Sequence, residues 1–290
     1  MPELPEVETI RATLDLHLPG KRIREVSVLN RNLRWPVPEQ LESKLKGRIF
    51  QRIKRRGKYL LICTLCSDTQ SEGWVLAHLG MTGTFRLESA QSQTHAAQDA
   101  HSNACLTDKH HHILFELDQG DVLIFRDPRR FGAILWTEQD PLQHRLLCHL
   151  GPEPLLPDFT PEYLLTQCAS RSMSIKSALM HAPIVAGIGN IYACEALFAA
   201  KILPQRPAKT LNLQQLKRLV ASIRTTLESA IACGGSSIQD FRHIGGELGY
   251  FAQKLQVYGR EGKACVVCGR LIERAKENNR STYFCRHCQQ

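Results

Sequence analysis

The sequence predicts an α+β protein of two domains, an antiparallel β-sandwich with a leading helix followed by a helical domain that ends in a cysteine-rich ribbon. The chain has 290 residues, which suggests two domains at a usual size of about 150 residues each. Short runs of Val, Ile, Leu and Phe separated by turn residues fill the first half. Helical spacing of apolar residues follows a proline-rich connection at residues 150–157.

The first element is predicted to be a helix from Pro5 to about His17. Val7, Ile10 and Leu14 recur at helical spacing along it. Proline suits the first turn of a helix, because its missing N–H would have no partner there.

Five apolar runs predict the strands of the sandwich, each rich in β-branched or aromatic residues. They are residues 21–30, 48–65, 74–87, 111–117 and 122–137. Residues 88–108 are rich in Ser, Gln, Ala and His with almost no large apolar side chain, which indicates a surface loop that tolerates deletion.

Four helices are predicted after the connection. Thr160 and Pro161 open the first, residues 174–180 and 190–200 form the next two, and Asn212 caps a fourth that ends at two glycines, residues 234 and 235. The expected domain boundaries are 1–150 for the sandwich, 151–255 for the helices and 256–290 for the ribbon.

The charge balance favours a polyanionic partner. Lys and Arg total 37 against 28 Asp and Glu, which gives a net charge of +9 that resides mainly in the second half. Charge alone does not separate DNA, RNA and an acidic membrane surface. The N-terminus lacks a signal-peptide core, and Asn190, Glu195 and Lys201 interrupt the one long apolar stretch, so we expect a cytoplasmic protein without a membrane span.

Four of the 11 cysteines form two Cys-x2-Cys pairs separated by sixteen residues. These residues are Cys265, Cys268, Cys285 and Cys288. Two such turns aim four sulfurs at one tetrahedral point, so the spacing predicts one structural Zn²⁺ on a β-hairpin ribbon. The alternative is a set of reduced structural cysteines, since a disulfide would not persist in a reducing cytosol.

Other patterns carry weaker signals. Cys63 and Cys66 indicate buried thiols more than a metal site, because a strand alternates its faces and no second pair lies nearby. The run His110 to His112 indicates a strand edge with one functional histidine more than a metal cluster.

Two basic segments and one glycine-rich turn are compatible with nucleic acid. Residues 44–58 hold eight basic side chains and no acid, and residues 126–131 place arginines beside Phe131. A solvated strand face would explain the basic run at 44–58, and a turn with a packed phenylalanine would explain residues 126–131 equally well. Gly187 and Gly189 lead into a helix, whose N-terminus can hold a phosphate, although a glycine-rich helix start alone is a weak signal.

Seven segments resemble the bacterial formamidopyrimidine-DNA glycosylase family. In chain order they are MPELPEVET (1–9), RGKYL (56–60), HLGMTG (78–83), DPRRFG (127–132), GIGNIYA (187–193), YFAQ (250–253) and RSTYFC (280–285). The resemblance spans essentially the whole chain. Leu4 favours the branch that excises oxidised purines over the relatives that excise oxidised pyrimidines.

The resemblance implies a bifunctional enzyme of base excision repair. Such an enzyme removes 8-oxoguanine and ring-opened purines and then cuts the strand by β- and δ-elimination. It implies a catalytic β-sandwich at 1–150, a helix–two-turn–helix DNA-binding domain at 151–255 and a zinc finger at 256–290. The expected partner is double-stranded DNA containing oxidised purines or AP sites, bound by a monomer.

The resemblance assigns the chemistry to Pro2, Glu3, Lys58 and Arg280. A terminal amine with a pKa of about 7.9 is roughly 10% neutral at pH 7, whereas a lysine of about 10.4 is well under 0.1% neutral. Pro2 gains this amine only when Met1 is removed, and its secondary amine forms an iminium that acidifies the neighbouring carbon.

Each of the other three has one implied role. Glu3 would donate a proton to the sugar ring oxygen, Lys58 would be the general acid of β-elimination and a phosphate ligand, and Arg280 would contact the lesion phosphates and assist δ-elimination. Glu6 either supports the same site or complements the helix dipole. Without the resemblance, Pro2 would be interpreted as a proline that marks the start of a helix.

The resemblance also implies the DNA contacts, because a damaged base must be rotated out of the duplex to be reached. His110, Arg129, Arg171 and Asn190 would contact DNA, while Met81, Arg129 and Phe131 would fill the space that the base leaves. Residues 239–250 would close over the extruded base. Two features depart from the family: His111 replaces an aspartate, and the loop at 88–108 is long.

Two other readings compete with the bifunctional enzyme. A non-catalytic DNA-binding protein would keep the helices and the ribbon, although the presence of Pro2, Glu3, Lys58 and Arg280 argues against it. A preference for oxidised pyrimidines would change the substrate and not the chemistry.

Overall fold

The computed structural model describes residues 2–89, 108–235 and 251–290. The described chain divides into two compact units. The N-terminal unit contains Pro2, residues 6–89 and residues 108–148, and the C-terminal unit contains residues 3–5, 149–235 and 251–290.

The N-terminal unit is the predicted β-sandwich, built from two four-stranded antiparallel sheets. Its helices are α1 (Leu4–His17), which belongs to this unit from Glu6 onward, and α2 (Leu41–Leu45). Its strands are β1 (Ile23–Val28), β2 (Ile49–Arg56), β3 (Tyr59–Leu65), β4 (Glu72–His78), β5 (Thr84–Glu88), β6 (His111–Leu117), β7 (Val122–Arg126) and β8 (Ala133–Thr137). The strand order is β1-β6-β7-β5 in one sheet and β2-β3-β4-β8 in the other. The apolar face of α1 packs with both sheets in one core that includes Val7, Ile10 and Leu14.

Three of the predicted strands were wrong in extent, because each is two strands. Residues 48–65 form the hairpin β2–β3, whose two-residue turn has Gly57 at a φ of +58°. Residues 74–87 and 122–137 each break at a turn and continue in the other sheet. Gly80 (φ +60°) and Arg130 (φ +57°) lie in those turns. Each run contains a polar or glycine-containing turn, KRRGK (54–58), GMTG (80–83) or RDPRRFG (126–132), and the prediction extended the strand across it.

Two smaller features of this unit also differ from the prediction. The five-residue helix α2 was not predicted, because Leu41 and Leu45 alone supply its buried side. Glu88 ends β5, whereas the predicted loop began there, and residues 90–107 of that loop lie outside the described residues.

The C-terminal unit contains the four predicted helices, α3 (Pro161–Cys168), α4 (Ile175–Leu179), α5 (Asn190–Ala199) and α6 (Leu213–Ala232). The predicted caps are confirmed: Thr160 Oγ1 accepts from the N–H of Tyr163 at 3.0 Å, and Asn212 and Gln215 form a capping box. Residues 191–198 of α5 are all buried, so this helix is the centre of the unit's core.

The ribbon is a hairpin of β9 (Glu273–Glu277) and β10 (Arg280–Phe284). Asn278 (φ +47°) and Asn279 (φ +59°) form its two-residue turn, a conformation that asparagine tolerates. Four short 3₁₀ segments complete the described structure: Asp118–Gly120, Pro141–Gln143, Ala208–Thr210 and Phe251–Lys254. Within the described ranges, no helix has the length and apolar character needed to cross a membrane.

Candidate active site

Glu3 is held at the N-terminus of helix α5. Its Oε1 accepts from the backbone N–H of Ile191 at 3.0 Å, and its Oε2 accepts from that of Tyr192 at 3.3 Å. The residue is 2% exposed. The first N–H groups of a helix have no partner within the helix and form its positive end, so they fix and stabilise a carboxylate there.

Two glycines make this contact possible. A Cβ on Gly189 would lie 2.2 Å from the carboxyl carbon of Glu3, and one on Gly187 would lie 2.7 Å from Cδ1 of Leu4. Gly187 also has a φ of +84°, and its carbonyl accepts from the N–H of Leu4 at 3.1 Å. The sequence pattern suggested that this turn could hold a phosphate. In the structure, the turn contacts Glu3 and Leu4 of the N-terminal segment.

Lys58 lies in the β2–β3 turn, close to a half-buried histidine. Tyr59, the next residue, pairs with His78 across the β3–β4 ladder. Burial, together with the charges of Lys58 and Arg34, lowers the pKa of His78 to about 4. The imidazole is therefore neutral at pH 7, and its Nδ1 accepts from the N–H of Gly80 at 3.0 Å.

The structure brings Met81, Arg129 and Phe131 together on two adjoining turns. Met81 is 36% exposed and Phe131 46% exposed, and the Arg129 guanidinium lies 4.9 Å from the Phe131 ring centre. A Cβ on Gly80 would lie 2.3 Å from the backbone of Phe131, which shows how closely the turns pack.

Asp127 accepts hydrogen bonds from both of these turns. The carboxylate is fully buried and accepts from Thr82 Oγ1 at 2.6 Å and from the N–H of Gly132 at 2.7 Å. The sequence reasoning missed the roles of Thr82 and Asp127, although both stand in segments that carried the family resemblance.

His110 is half-buried at the start of β6, and Asp108 holds its backbone. Asp108 Oδ1 accepts from the N–H of His110 at 2.9 Å, and Oδ2 accepts from Arg126 Nε at 2.9 Å. Burial opposes ionisation of Asp108, but these two donors lower its pKa to about 2. His111 and His112 are buried, so His110 is the more accessible histidine of the three.

The remaining predicted contacts lie in the C-terminal unit. Asn190 Nδ2 donates to the carbonyl of Ser281 at 2.8 Å, which ties the start of α5 to the strand that carries Arg280. Arg171 Nε donates to the carbonyl of Gln167 at 2.7 Å at the end of α3. Arg280 is exposed beside the ribbon turn.

Lys176 is a further residue that sequence reasoning missed. It is 2% exposed, and its Nζ donates to Thr282 Oγ1 at 2.8 Å. Burial lowers its pKa. Its place on helix α4 follows from the predicted helix, but its burial against the ribbon depends on the tertiary structure.

The four predicted zinc ligands converge. The sulfurs of Cys265 and Cys288 lie 3.9 Å apart, those of Cys268 and Cys285 3.5 Å apart, and all four lie within 4.8 Å of one another. A tetrahedron with Zn–S bonds of about 2.3 Å has sulfur–sulfur edges of about 3.8 Å. The thiols therefore fit one structural Zn²⁺, as the spacing predicted. Among the described residues, this is the group of ligand side chains close enough to share a metal.

The other predicted residues divide between the two units. Pro2, which is buried, and Lys58 belong to the N-terminal unit, and so does Glu6, which is also buried. Glu3, Asn190 and Arg280 belong to the C-terminal unit. Cys63 is buried, and burial raises its pKa to about 11, whereas Cys66 is only half-buried. Residues 239–250 lie outside the described residues.

Three family models match successive parts of the chain. They are the formamidopyrimidine-DNA glycosylase N-terminal domain (residues 1–134), the formamidopyrimidine-DNA glycosylase H2TH domain (150–242) and the zinc finger found in FPG and IleRS (262–290). A β-sandwich, a helix–two-turn–helix domain and a four-cysteine ribbon in this order define a zinc-finger DNA glycosylase.

Full-length relatives and solved structures agree with that class. The formamidopyrimidine-DNA glycosylase of Laribacter hongkongensis is 45% identical over 289 residues, covering 100% of both chains. A Lactococcus lactis FPG mutant in complex with Fapy-dG containing DNA superposes with a TM-score of 0.87 at 33% identity, covering 100% of both chains. The Lactococcus lactis Fpg with DNA containing an abasic site gives a TM-score of 0.86 at 33% identity, covering 99% of each chain. The chain belongs to the formamidopyrimidine-DNA glycosylase family, and it is a DNA glycosylase of base excision repair.

Proposed function

We propose that this glycosylase excises 8-oxoguanine and formamidopyrimidines from double-stranded DNA and then cleaves the AP site by β- and δ-elimination. The observation that carries the proposal is the anchoring of Glu3 on helix α5, directly after the residue that becomes the amino terminus. The DNA in the two Lactococcus lactis complexes, with a Fapy-dG lesion and with an abasic site, supports both halves of the reaction.

The proposed first step joins Pro2 to the sugar. The secondary amine attacks C1′ while the bond from C1′ to the base breaks, and the base leaves with the bonding electrons and takes up a proton. The attacking nitrogen loses its N–H proton, and the Glu3 carboxylate takes up a proton and gives it to O4′, so the ring opens and the nitrogen lone pair forms the C=N⁺ bond of an iminium. The two backbone N–H donors fix the orientation of the Glu3 carboxyl group for this transfer.

Two eliminations then release both phosphates. The iminium draws electrons from C2′, so a C2′ proton is lost and the C3′–O bond breaks, with Lys58 as the proposed general acid for the leaving phosphate. Loss of a second proton from the conjugated sugar expels the C5′ phosphate, which Arg280 stabilises. Water then hydrolyses the iminium and restores Pro2.

The proposed DNA interface divides into two kinds of contact. His110, Arg129, Arg171 and Asn190 contact the DNA backbone or the opposite strand, and the exposed side chains of Met81, Arg129 and Phe131 fill the space of the extruded base. The cation–π contact at 4.9 Å between Arg129 and Phe131 supports a shared role for these two.

We also propose the domain boundaries, the oligomeric state and the cellular location of the enzyme. Residues 1–150 form the catalytic domain, residues 151–255 the DNA-binding domain and residues 256–290 the zinc finger. The enzyme acts as a monomer in the cytoplasm, at the nucleoid, where its DNA substrate lies.

Borohydride trapping tests the proposal. Protein from which Met1 has been removed is incubated with a duplex containing 8-oxoguanine in the presence of borohydride, and the adduct is mapped by mass spectrometry. We expect one covalent adduct at Pro2, and we expect none when an N-terminal extension converts the Pro2 nitrogen into an amide. An adduct at a lysine, or full activity of the extended protein, would contradict the assignment of the nucleophile. Parallel excision of thymine glycol establishes the preference for purines.

A further inference from the structure

A network of hydrogen bonds holds the tip of the ribbon hairpin at the start of helix α4. Glu277 Oε1 accepts from the hydroxyls of Ser174 and Ser177, the latter at 2.9 Å. Ser177 Oγ in turn accepts from Asn278 Nδ2 at 3.0 Å, and Ser174 Oγ accepts from the N–H of Ser177 at 3.1 Å. Each hydroxyl thus gives its one proton to Glu277 and accepts from another group.

Glu277 is also the cross-strand partner of Arg280, across the two-residue turn. Side chains at such positions have Cβ atoms about 4.5–5.5 Å apart and point to the same face, so an ion pair between them would be the simplest outcome. No Glu277–Arg280 ion pair forms in the described structure. The two serines hold the carboxylate instead, and Arg280 stays exposed and makes no side-chain hydrogen bond to the described residues.

Apolar packing does not fix this tip. A cavity of about 280 Å³ lies between α4 and the hairpin, lined by Met173, Lys176, Ser177, Glu277 and Arg280 among others. Arg280 lines this cavity, and the contacts that hold the tip beside it are the hydrogen bonds of Glu277 and Asn278. Further along β10, Lys176 holds Thr282 and Asn190 holds Ser281, so the polar contacts of Glu277 and Asn278 fix the end that bears the arginine.

We propose that Glu277, held by Ser174 and Ser177, is a positioning residue that keeps the guanidinium of Arg280 available to a DNA phosphate. The serines serve two purposes: they fix the hairpin tip, and they keep the negative charge of Glu277 from pairing with Arg280. The inference rests on the proposed function, in which Arg280 contacts the lesion phosphates and assists δ-elimination.

Four variants separate these purposes. E277Q keeps an acceptor oxygen for both serines, E277A removes it, and S177A removes one donor without removing the helix cap. S222A is the matched control, since Ser222 lies in the middle of helix α6. Two quantities are measured: the ratio of δ to β products on an AP-site duplex, and the salt dependence of binding to a duplex with a tetrahydrofuran AP-site analogue.

We expect E277Q and S222A to match the wild type, and E277A to lower the ratio of δ to β products by about tenfold, as a small misplacement of a catalytic group does. We expect S177A to release Glu277 onto Arg280, which removes one phosphate contact and lowers the slope of log K against log salt by about 1. The double variant S177A/E277Q should restore that slope, because glutamine carries no charge to pair with Arg280.

Three results would overturn the inference while leaving the proposed function intact. They are an E277A product ratio equal to that of S222A, an S177A slope equal to that of the wild type, or a slope that S177A/E277Q does not restore. If E277A fails to retain zinc, the comparison of S177A with S177A/E277Q decides the outcome alone. Failure of the proposed function is distinguishable, because the wild-type protein would then form no borohydride adduct.

Discussion

At the scale of single residues, His78 shows how one neutral ring supports a turn that the proposed chemistry uses. Its Nδ1 accepts from the N–H of Gly80, next to Met81, and it can do so only when that nitrogen carries no proton. Burial and the nearby charges of Lys58 and Arg34 keep the ring neutral by lowering its pKa to about 4.

This depressed pKa predicts an acid-sensitive fold. An unfolded histidine titrates near about 6.5, so the unfolded chain takes up the proton first as the pH falls. The contribution of neutral His78 is complete above about pH 6.5 and is lost progressively down to about pH 4, a change of about 3 kcal/mol in the free energy of unfolding.

Urea denaturation between pH 7 and pH 4 measures this effect. The variant His78→Asn retains an acceptor near the position of Nδ1 but does not titrate, so we expect a flatter pH profile for it. His17→Asn, on the exposed end of α1, serves as the matched control. Equal slopes for wild type and His78→Asn would show that His78 does not titrate in this range.

At the scale of secondary-structure elements, the N-terminus of α5 both holds Glu3 and leaves room for it. Gly189 has extended backbone angles (φ −124°, ψ −160°) that alanine also adopts, so Gly189→Ala introduces no backbone strain. Its Cβ would however lie 2.2 Å from the carboxyl carbon of Glu3, and the carboxyl group must move away. We expect Gly189→Ala to lower the rate of 8-oxoguanine excision by about a hundredfold, the effect of a displacement of about 1 Å.

Single-turnover excision assays test this expectation. Glu3→Gln provides the reference for loss of the proton donor, and Ser222→Ala provides a helix substitution with no contact to Glu3 in the described structure. A folded Gly189→Ala protein with wild-type excision rates would show that the position of Glu3 on α5 is not required.

At the scale of the whole molecule, the zinc ribbon is a small unit that depends on its metal. Its core consists of few apolar side chains around Cys265 and Cys285, among them Val257 and Ile272. Units with such small cores commonly fold only with the metal bound. We expect Cys268→Ala or strong chelation to unfold the ribbon, displace Arg280 and abolish binding to AP-site DNA.

Zinc content, circular dichroism and DNA binding should therefore change together in this variant. Cys66→Ala removes a half-buried thiol outside the metal site and is the matched control. Full DNA binding by metal-free protein would contradict a structural role for the ion.

Local sequence rules account for much of this molecule. Helix α3 begins where Thr160 and Pro161 predict, and α6 begins at the Asn212 cap, because capping depends on residues within one turn of each other. The zinc site also follows from spacing, since each Cys-x2-Cys turn positions two sulfurs by itself. The prediction missed the breaks within residues 74–87 and 122–137, although turn residues stand at 80–83 and 126–132, and only the pairing of strands shows the change of sheet.

The sequence by itself determined the class of fold and the metal ligands, and its motifs predict the residues of the proposed chemistry. Only the tertiary structure placed Glu3 on a helix 188 residues further along the chain and fastened Glu277 to serines 100 and 103 residues away. Helix, turn and cap preferences act between near neighbours in the chain. Hydrogen bonds between distant residues form only after the packed core has fixed the path of the backbone.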